Sequence, residues 1–237
     1  MAGRGKRFSE KGYKTPKPAI KIKNKTMVQL VTENIRPQVP HKMIYVCQKS
    51  HLEIKEISSF FDSLKGDIEI ITLDKVTDGM ASTTLKAKKI INNTNPLMTA
   101  NVDQIINFNI DEYLEVGNHN NIDGMIMTMK SQSSKWSYVK VNNEGIAIET
   151  AEKKVISENA TVGIYNFKKG NEYIFYTEKM VSSGLKVNGE CYICPVYNYF
   201  IRDGKKIATF NIGDEYNGMH GLGTPEDLKK YLTIGKE

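Results

Sequence analysis

The chain has 237 residues, 40% hydrophobic and 25% charged, which is enough for one sizeable core and too few to argue for two full domains. No apolar run approaches the roughly 18 residues of a membrane-spanning helix, and the charged N-terminus leads into no apolar stretch of the secretory-signal kind, so a cytoplasmic globular protein without a membrane partner is expected. The net charge of +6 is uneven, because residues 1–25 hold nine Lys or Arg against the single acid Glu10. That segment asks for an anion. Its basic residues alternate with Gly and Pro rather than with aromatics, which favours a phosphate-bearing small molecule over nucleic acid. Cys47, Cys191 and Cys194 are too few and too uneven for a disulfide framework. The Cys191-x-x-Cys194 pair lacks the second half of a zinc site, so buried thiols are expected.

In chain order, the opening MAGRGKRFSEKGYKTPKP sets Gly3 and Gly5 beside Arg4, Lys6 and Arg7, then adds Lys14 and Lys17. Glycines let backbone N–H groups approach phosphate oxygens, and the cations offset charge that develops in phosphoryl transfer. Phe8 stands where a dinucleotide-binding fingerprint has its third glycine, and no Gly-Lys-Ser/Thr follows, so neither standard phosphate motif is present. Pro16 and Pro18 flank Lys17 and hold it rigidly.

Apolar runs at 43–48 and 68–73 enclose the amphipathic stretch SHLEIKEISSFFDSL, which reads as strand, helix, strand. A further helix is expected over STTLKAKKIINN and a strand over PLMTA at 96–100. This alternation predicts an α/β layer fold with a mixed, mainly parallel sheet flanked by helices. Beyond residue 120 shorter strands are expected in DGMIMTMKS, SYVKVNNEGIAIETAE and ATVGIYNFKKG, with Asn143-Glu144-Gly145 as a hairpin turn. A helix at 170–183 and a closing helix capped by Thr224, with Pro225 at its first position, complete the chain.

Ala2-Gly3-Arg4-Gly5-Lys6-Arg7 followed by Pro16-Lys17-Pro18 resembles the signature of the sugar nucleotidyltransferases, and later segments occur in the order that family requires. These are Thr77-Asp78-Gly79-Met80-Ala81, Asn101-Val102-Asp103-Gln104, Ala151-Glu152-Lys153-Lys154, Ala160-Thr161-Val162-Gly163, Val187-Asn188-Gly189-Glu190 and Gly223-Thr224-Pro225-Glu226-Asp227. The resemblance implies a single-domain Rossmann-like (GT-A-like) fold spanning 1–237, with a small β-rich acceptor region. It also implies a first strand upstream of Met1, since in this family a buried strand runs directly into the loop.

The resemblance further implies site residues. Arg7 would contact the leaving pyrophosphate, Lys17 would bridge the phosphates, and Lys153 would grip the acceptor phosphate. Ala2, Gly3, Arg4, Gly5, Gln48, Gly79 and Ala81 would bind the nucleotide. Glu152, Thr161, Asn188 and Glu190 would shape the acceptor pocket, with Trp136 and Tyr138 either walling it or belonging to the core. Asp103 would hold Mg²⁺ through one carboxylate, unless it caps a following helix. The family's second metal-binding Asp is replaced by Gly221, leaving Asp214, Glu215 and His220 as nearby substitutes. Within the family the likeness runs to the small capsule-biosynthesis cytidylyltransferases, implying CTP and a phosphorylated acceptor such as phosphoglutamine. A sugar-1-phosphate thymidylyl- or guanylyltransferase is the alternative. A nucleotide-sugar glycosyltransferase, with Asn101-x-Asp103 as a variant Asp-x-Asp motif, and a nucleotide sensor without catalysis are the other readings.

Overall fold

The computed structural model describes residues 1–3, 5–119 and 121–234. Helix α1 (Lys6–Ser9) turns Phe8 into the core, where it meets Tyr13 edge-on at 5.1 Å. The short antiparallel pair β1 (Lys21–Ile22) and β2 (Lys25–Thr26) leads into α2 (Met27–Ile35), capped by the Thr26 hydroxyl, which accepts from the Gln29 N–H. The sequence reading assigned nothing to α2, although Met27, Val28, Val31 and Ile35 recur at helical spacing and are buried.

Strands β3 (Lys42–Gln48) and β4 (Asp67–Leu73) are the parallel pair expected from the two apolar runs. The single helix expected between them is two, α3 (Lys49–Leu52) and α4 (Lys55–Ser63). Ile57, Phe60 and Phe61 of α4 pack with Tyr45. The stretch 82–93 also breaks, into α5 (Met80–Thr84), a 3-10 turn at Leu85–Ala87 and α6 (Lys88–Ile91). Then follow β5 (Leu97–Ala100), β6 (Gln104–Ile106), α7 (Ile110–His119), β7 (Gly124–Lys130), β8 (Ser137–Val141), β9 (Ala147–Glu152) and β10 (Asn159–Phe167). The chain closes with α8 (Gly170–Ser182), α9 (Tyr197–Arg202), β11 (Ile207–Glu215), β12 (Gly218–Gly221) and α10 (Pro225–Ile234).

Strands β6–β12–β11–β7–β10–β8–β9 lie side by side in that order, with β5 also joined to β10. Among the described residues parallel pairing is confined to β3–β4, β7–β11 and β11–β12. The sheet is therefore mixed, as expected, and only the balance within it is corrected, since antiparallel pairs outnumber parallel ones among the described residues. The cause is loop length: short returns make β8, β9 and β10 antiparallel neighbours, whereas the long α8–α9 crossover brings β11 in parallel to β7. Strand β7 alternates strictly, with Met125, Met127 and Met129 in one core cluster and Ile126 in the other. The second cluster carries the aromatic stack of Phe167 on Tyr197, at 4.7 Å. All three cysteines are buried and unpaired, as expected. The strand expected ahead of Met1 lies outside these residues; the Met1 amine donates to the Val46 carbonyl of β3 at 2.9 Å.

Candidate active site

Gly5, in a left-handed conformation at φ 61°, starts α1, and a side chain there would begin 3.6 Å from the Lys17 Cβ. The glycine loop thus lies against Pro16-Lys17-Pro18, which enters a 3-10 turn at Lys17–Ala19. From β3, the Gln48 amide donates to the carbonyls of Ala2 at 3.1 Å and Gly3 at 3.2 Å, tying the loop to the strand. Gly3, Gly5, Lys14, Thr15, Lys17, Gln48, Ser50, His51 and Val76 are among the residues enclosing a cavity of about 330 Å³. Arg4 lies outside the described residues.

Lys17 Nζ donates to Asp103 Oδ2 at 2.6 Å across 86 residues of chain. Asp103 is followed by β6 and not by a helix, so it caps nothing. Its carbonyl accepts from the Leu222 N–H at 2.7 Å, and a Cβ on Gly223 would stand only 2.9 Å from Oδ2. The absent side chain keeps open the space beside the carboxylate. A hard cation that keeps much of its water and takes one carboxylate plus phosphate oxygens fits this position.

The position expected for a second acid is Gly221. A Cβ on Gly221 would lie 3.2 Å from the Trp136 ring and 3.6 Å from Asp227 Oδ2, so the indole covers the place where the family's second Asp would project. Glu215 is committed elsewhere, receiving Lys135 at 2.8 Å, Trp136 Nε1 at 3.1 Å and Ser131 at 2.9 Å. Lys135 also donates to Asp227 at 2.8 Å, and Thr224 and Tyr216 complete that carboxylate's shell. Burial opposes the charge on Lys135, but its bonds to Asp227 and Glu215 prevail and raise its pKa. His220 is buried, with Nε2 3.0 Å from Asn107 and its ring against Tyr231; Asp214 is exposed. Among the described residues no three His, Cys, Asp or Glu side chains converge as a metal cage.

On the acceptor side, Glu152 at the end of β9 is half-buried and accepts from the Ser137 hydroxyl. Burial pushes its carboxyl up to about 6, with Ser137 and Lys153 opposing and the Glu190 charge adding. Lys153, in a left-handed conformation at φ 53°, sets its ammonium 5.1 Å from the Tyr192 ring. The Tyr192 phenol is raised by burial and then by its bond to Glu190, while the Arg7 charge pulls it down. Sequence reading passed over Tyr192, whose signal is its position two residues after Glu190. Asn188 and Gly189 both have positive φ, 50° and 79°, in a tight turn closed by mutual bonds between Val187 and Glu190. This explains Asn188 conformationally.

Two expectations shift, and for Tyr138 one of the two alternatives is selected. Thr161 is 2% exposed and its hydroxyl meets Tyr165 at 2.9 Å, so it braces the β10 bulge rather than facing a cavity. Tyr138 is wholly in the core. Gly79, at φ 106°, is pressed on the Cys191 backbone, and the buried Ala81 gives its N–H to the Cys191 carbonyl. Neither is among the residues that enclose the cavity. Gln104, 2% exposed beside Asp103, leaves its Nε2 without a partner, and sequence reading gave it no role.

Residues 1–188 match the family model described as Nucleotidyl transferase. Among curated proteins none matches by sequence. A nucleoside-diphosphate-sugar pyrophosphorylase from Vibrio cholerae RC9 superposes with a TM-score of 0.85 at 21% identity, covering 98% of this chain and 97% of its own. A putative glucose-1-phosphate thymidylyltransferase from Bacillus anthracis gives 0.77 at 16% identity, covering 99% of this chain and 92% of its own. The inositol-1-phosphate CTP transferase from T. maritima gives 0.76 at 14%, with coverages of 99% and 92%. These likenesses agree on the fold, and the family model, matching most of the sequence, adds that the chain belongs to the nucleotidyl transferase family.

Proposed function

We propose that the chain joins a nucleoside triphosphate, CTP by preference, to a small phosphorylated acceptor and releases pyrophosphate. The observation that supports this most is the Lys17–Asp103 contact beside the glycine loop. It brings two parts of the family pattern, 86 residues apart, to one point, and Lys17 lines the cavity.

The acceptor's phosphate oxygen attacks the α-phosphorus in line, and the bond to the β-phosphate oxygen breaks as pyrophosphate leaves. An ionised phosphate needs no general base, so the protein's work is positioning and charge neutralisation. Lys17 pairs with Asp103 until a triphosphate supplies a second anionic partner. Arg7 then faces the leaving pyrophosphate, and Lys153 holds the acceptor's phosphate. Mg²⁺ at Asp103, when bound, polarises the phosphoryl oxygens. Glu152, Glu190 and Tyr192 hydrogen-bond the acceptor's polar body, with phosphoglutamine as the proposed acceptor, CDP-glutamine as product, and a cytoplasmic step toward capsule as setting. Among the described residues no helix is long and apolar enough to cross a membrane.

Screening CTP, UTP, GTP, ATP and dTTP against phosphoglutamine and common sugar-1-phosphates, with pyrophosphate as readout, tests this. CTP with phosphoglutamine is expected to lead. A preference for dTTP or GTP with a sugar phosphate moves the protein to that branch of the family, and no pyrophosphate from any pair refutes the proposal.

A further inference from the structure

Among the described residues, the cavity beside the glycine loop is lined by two ammonium groups, Lys14 and Lys17, and by no Asp or Glu. The two lysines differ in what they face. Lys17 Nζ is bonded to Asp103 Oδ2, so that pair carries no net charge. Lys6, Lys11, Lys21 and Lys25 have acids of their own in Glu10, Glu226, Glu56 and Glu33. Among the described residues Lys14 has none, and it is the uncompensated lysine of the cavity wall.

Its place is set from both sides. Upstream, Phe8 is 1% exposed in the core, Tyr13 packs edge-on against it at 5.1 Å, and the Tyr13 N–H donates to the Phe8 carbonyl at 3.1 Å. Gly12, at φ 84°, makes the turn that brings Tyr13 back onto Phe8. Downstream, Pro16 fixes the backbone that enters the turn at Lys17. Lys14 therefore stands in a loop fastened to the core, exposed at the cavity it lines. A cation without a counter-charge, beside a cavity that holds no acid, favours an anionic ligand and favours it more as the ligand's charge rises.

In the nucleotidyl-transfer reading the α-phosphorus reacts beside Lys17 and Asp103, whose charges already balance, and most of the triphosphate's charge lies on its β- and γ-phosphates. We propose that Lys14 binds those two phosphates and supplies the charge that distinguishes a triphosphate, and the pyrophosphate it releases, from a monophosphate. The inference rests on that reading and adds a substrate-binding residue to it. Lys14 takes no part in the bond exchange at the α-phosphorus.

Calorimetric binding with Mg²⁺ present and no acceptor tests this on wild type, Lys14→Gln, Lys14→Arg and Lys23→Gln. Lys23 also has no acidic partner among the described residues, and it does not line the cavity. The ligands are whichever of CTP, UTP, GTP, ATP and dTTP wild type binds most tightly, the corresponding monophosphate, and inorganic pyrophosphate. Lys14→Gln is expected to lose about tenfold in affinity for the triphosphate and for pyrophosphate, the loss of one charge-assisted contact, and less than about twofold for the monophosphate. Lys14→Arg holds both polyphosphates within about threefold of wild type, Lys23→Gln leaves all three ligands within about twofold, and thermal melting is unchanged throughout. Normal polyphosphate binding in Lys14→Gln, an equal loss for the monophosphate, or an equal loss in Lys23→Gln overturns the proposal, the last by showing that only the general field of the basic segment acts. A wild type that binds neither a triphosphate nor pyrophosphate removes the nucleotidyl-transfer reading as well, whereas normal binding by Lys14→Gln removes Lys14 alone.

Discussion

Gly223 and Asp103 show how a site is made by what a residue lacks. A methyl group on Gly223 would reach 2.9 Å from Asp103 Oδ2, crowding the space where a cation would sit. Gly223→Ala is expected to raise the Mg²⁺ concentration for half-maximal turnover roughly tenfold. It should change stability by less than about 1 kcal/mol, since no left-handed backbone is involved; an unchanged Mg²⁺ dependence would remove the cation from Asp103. Glu152 gives a pH test. Its carboxyl titrates at about 6 in the fold against 4.5 in its ordinary state. A raised folded pKa lends stability below the unfolded value and loses it as pH rises through the folded one. Glu152→Gln, which does not titrate, should therefore gain on wild type between pH 4.5 and 7, by roughly 1 kcal/mol once solvent screening of a half-buried group is allowed for. Melting curves across that range check it, and a pH-independent difference would contradict the burial account. Lys17 and Asp103 were legible in the sequence because short motifs fix them. Trp136 over Gly221 is tertiary and left no trace in spacing, and the Thr161–Tyr165 contact, though only four residues apart, depends on the β10 bulge.

Elements with continuous apolar runs were equally legible: β3, β4 and β7 fall close to where their Val, Ile and Met clusters place them. Strand β12 was not, since its four residues Gly-Met-His-Gly carry no alternation, and all four are buried by neighbours distant in sequence. The helices of 82–93 and 50–64 broke because their local propensity is divided among short turns that packing selects. The network at the head of α10 makes an element-level prediction. Lys135 joins Glu215 of β11 to Asp227 of α10, and the two carboxylate side chains are only 15% and 9% exposed. Burial favours their neutral forms, yet the Lys135 bonds outweigh it and hold both carboxyls below their usual range. Lys135→Met leaves two largely buried acids without their cation and should cost roughly 3 kcal/mol at neutral pH. Carboxyls depressed in the fold stabilise above the unfolded pKa and lose that contribution as pH falls through the folded one, so the cost should shrink in acid. Chemical denaturation at pH 7 and pH 3 measures it, and an equal loss at both would exclude the ion network as the cause.

At the scale of the whole molecule, the Lys17–Asp103 bond joins the Pro16-Lys17-Pro18 turn beside the glycine loop to the Asp103 turn, which leads into β6 at the edge of the mixed sheet that also holds β8, β9 and β10. That convergence predicts one bond exchange: the nucleotide's α-phosphorus passes to the acceptor's phosphate oxygen. Phosphorus NMR of wild-type enzyme with CTP, phosphoglutamine and Mg²⁺ follows it directly. The account predicts that the triphosphate and acceptor-phosphate signals fall together while pyrophosphate and a diphosphate diester rise in equal amount. Formation of CDP with free phosphate, or a triphosphate left intact while an added nucleotide-sugar is consumed, would contradict it.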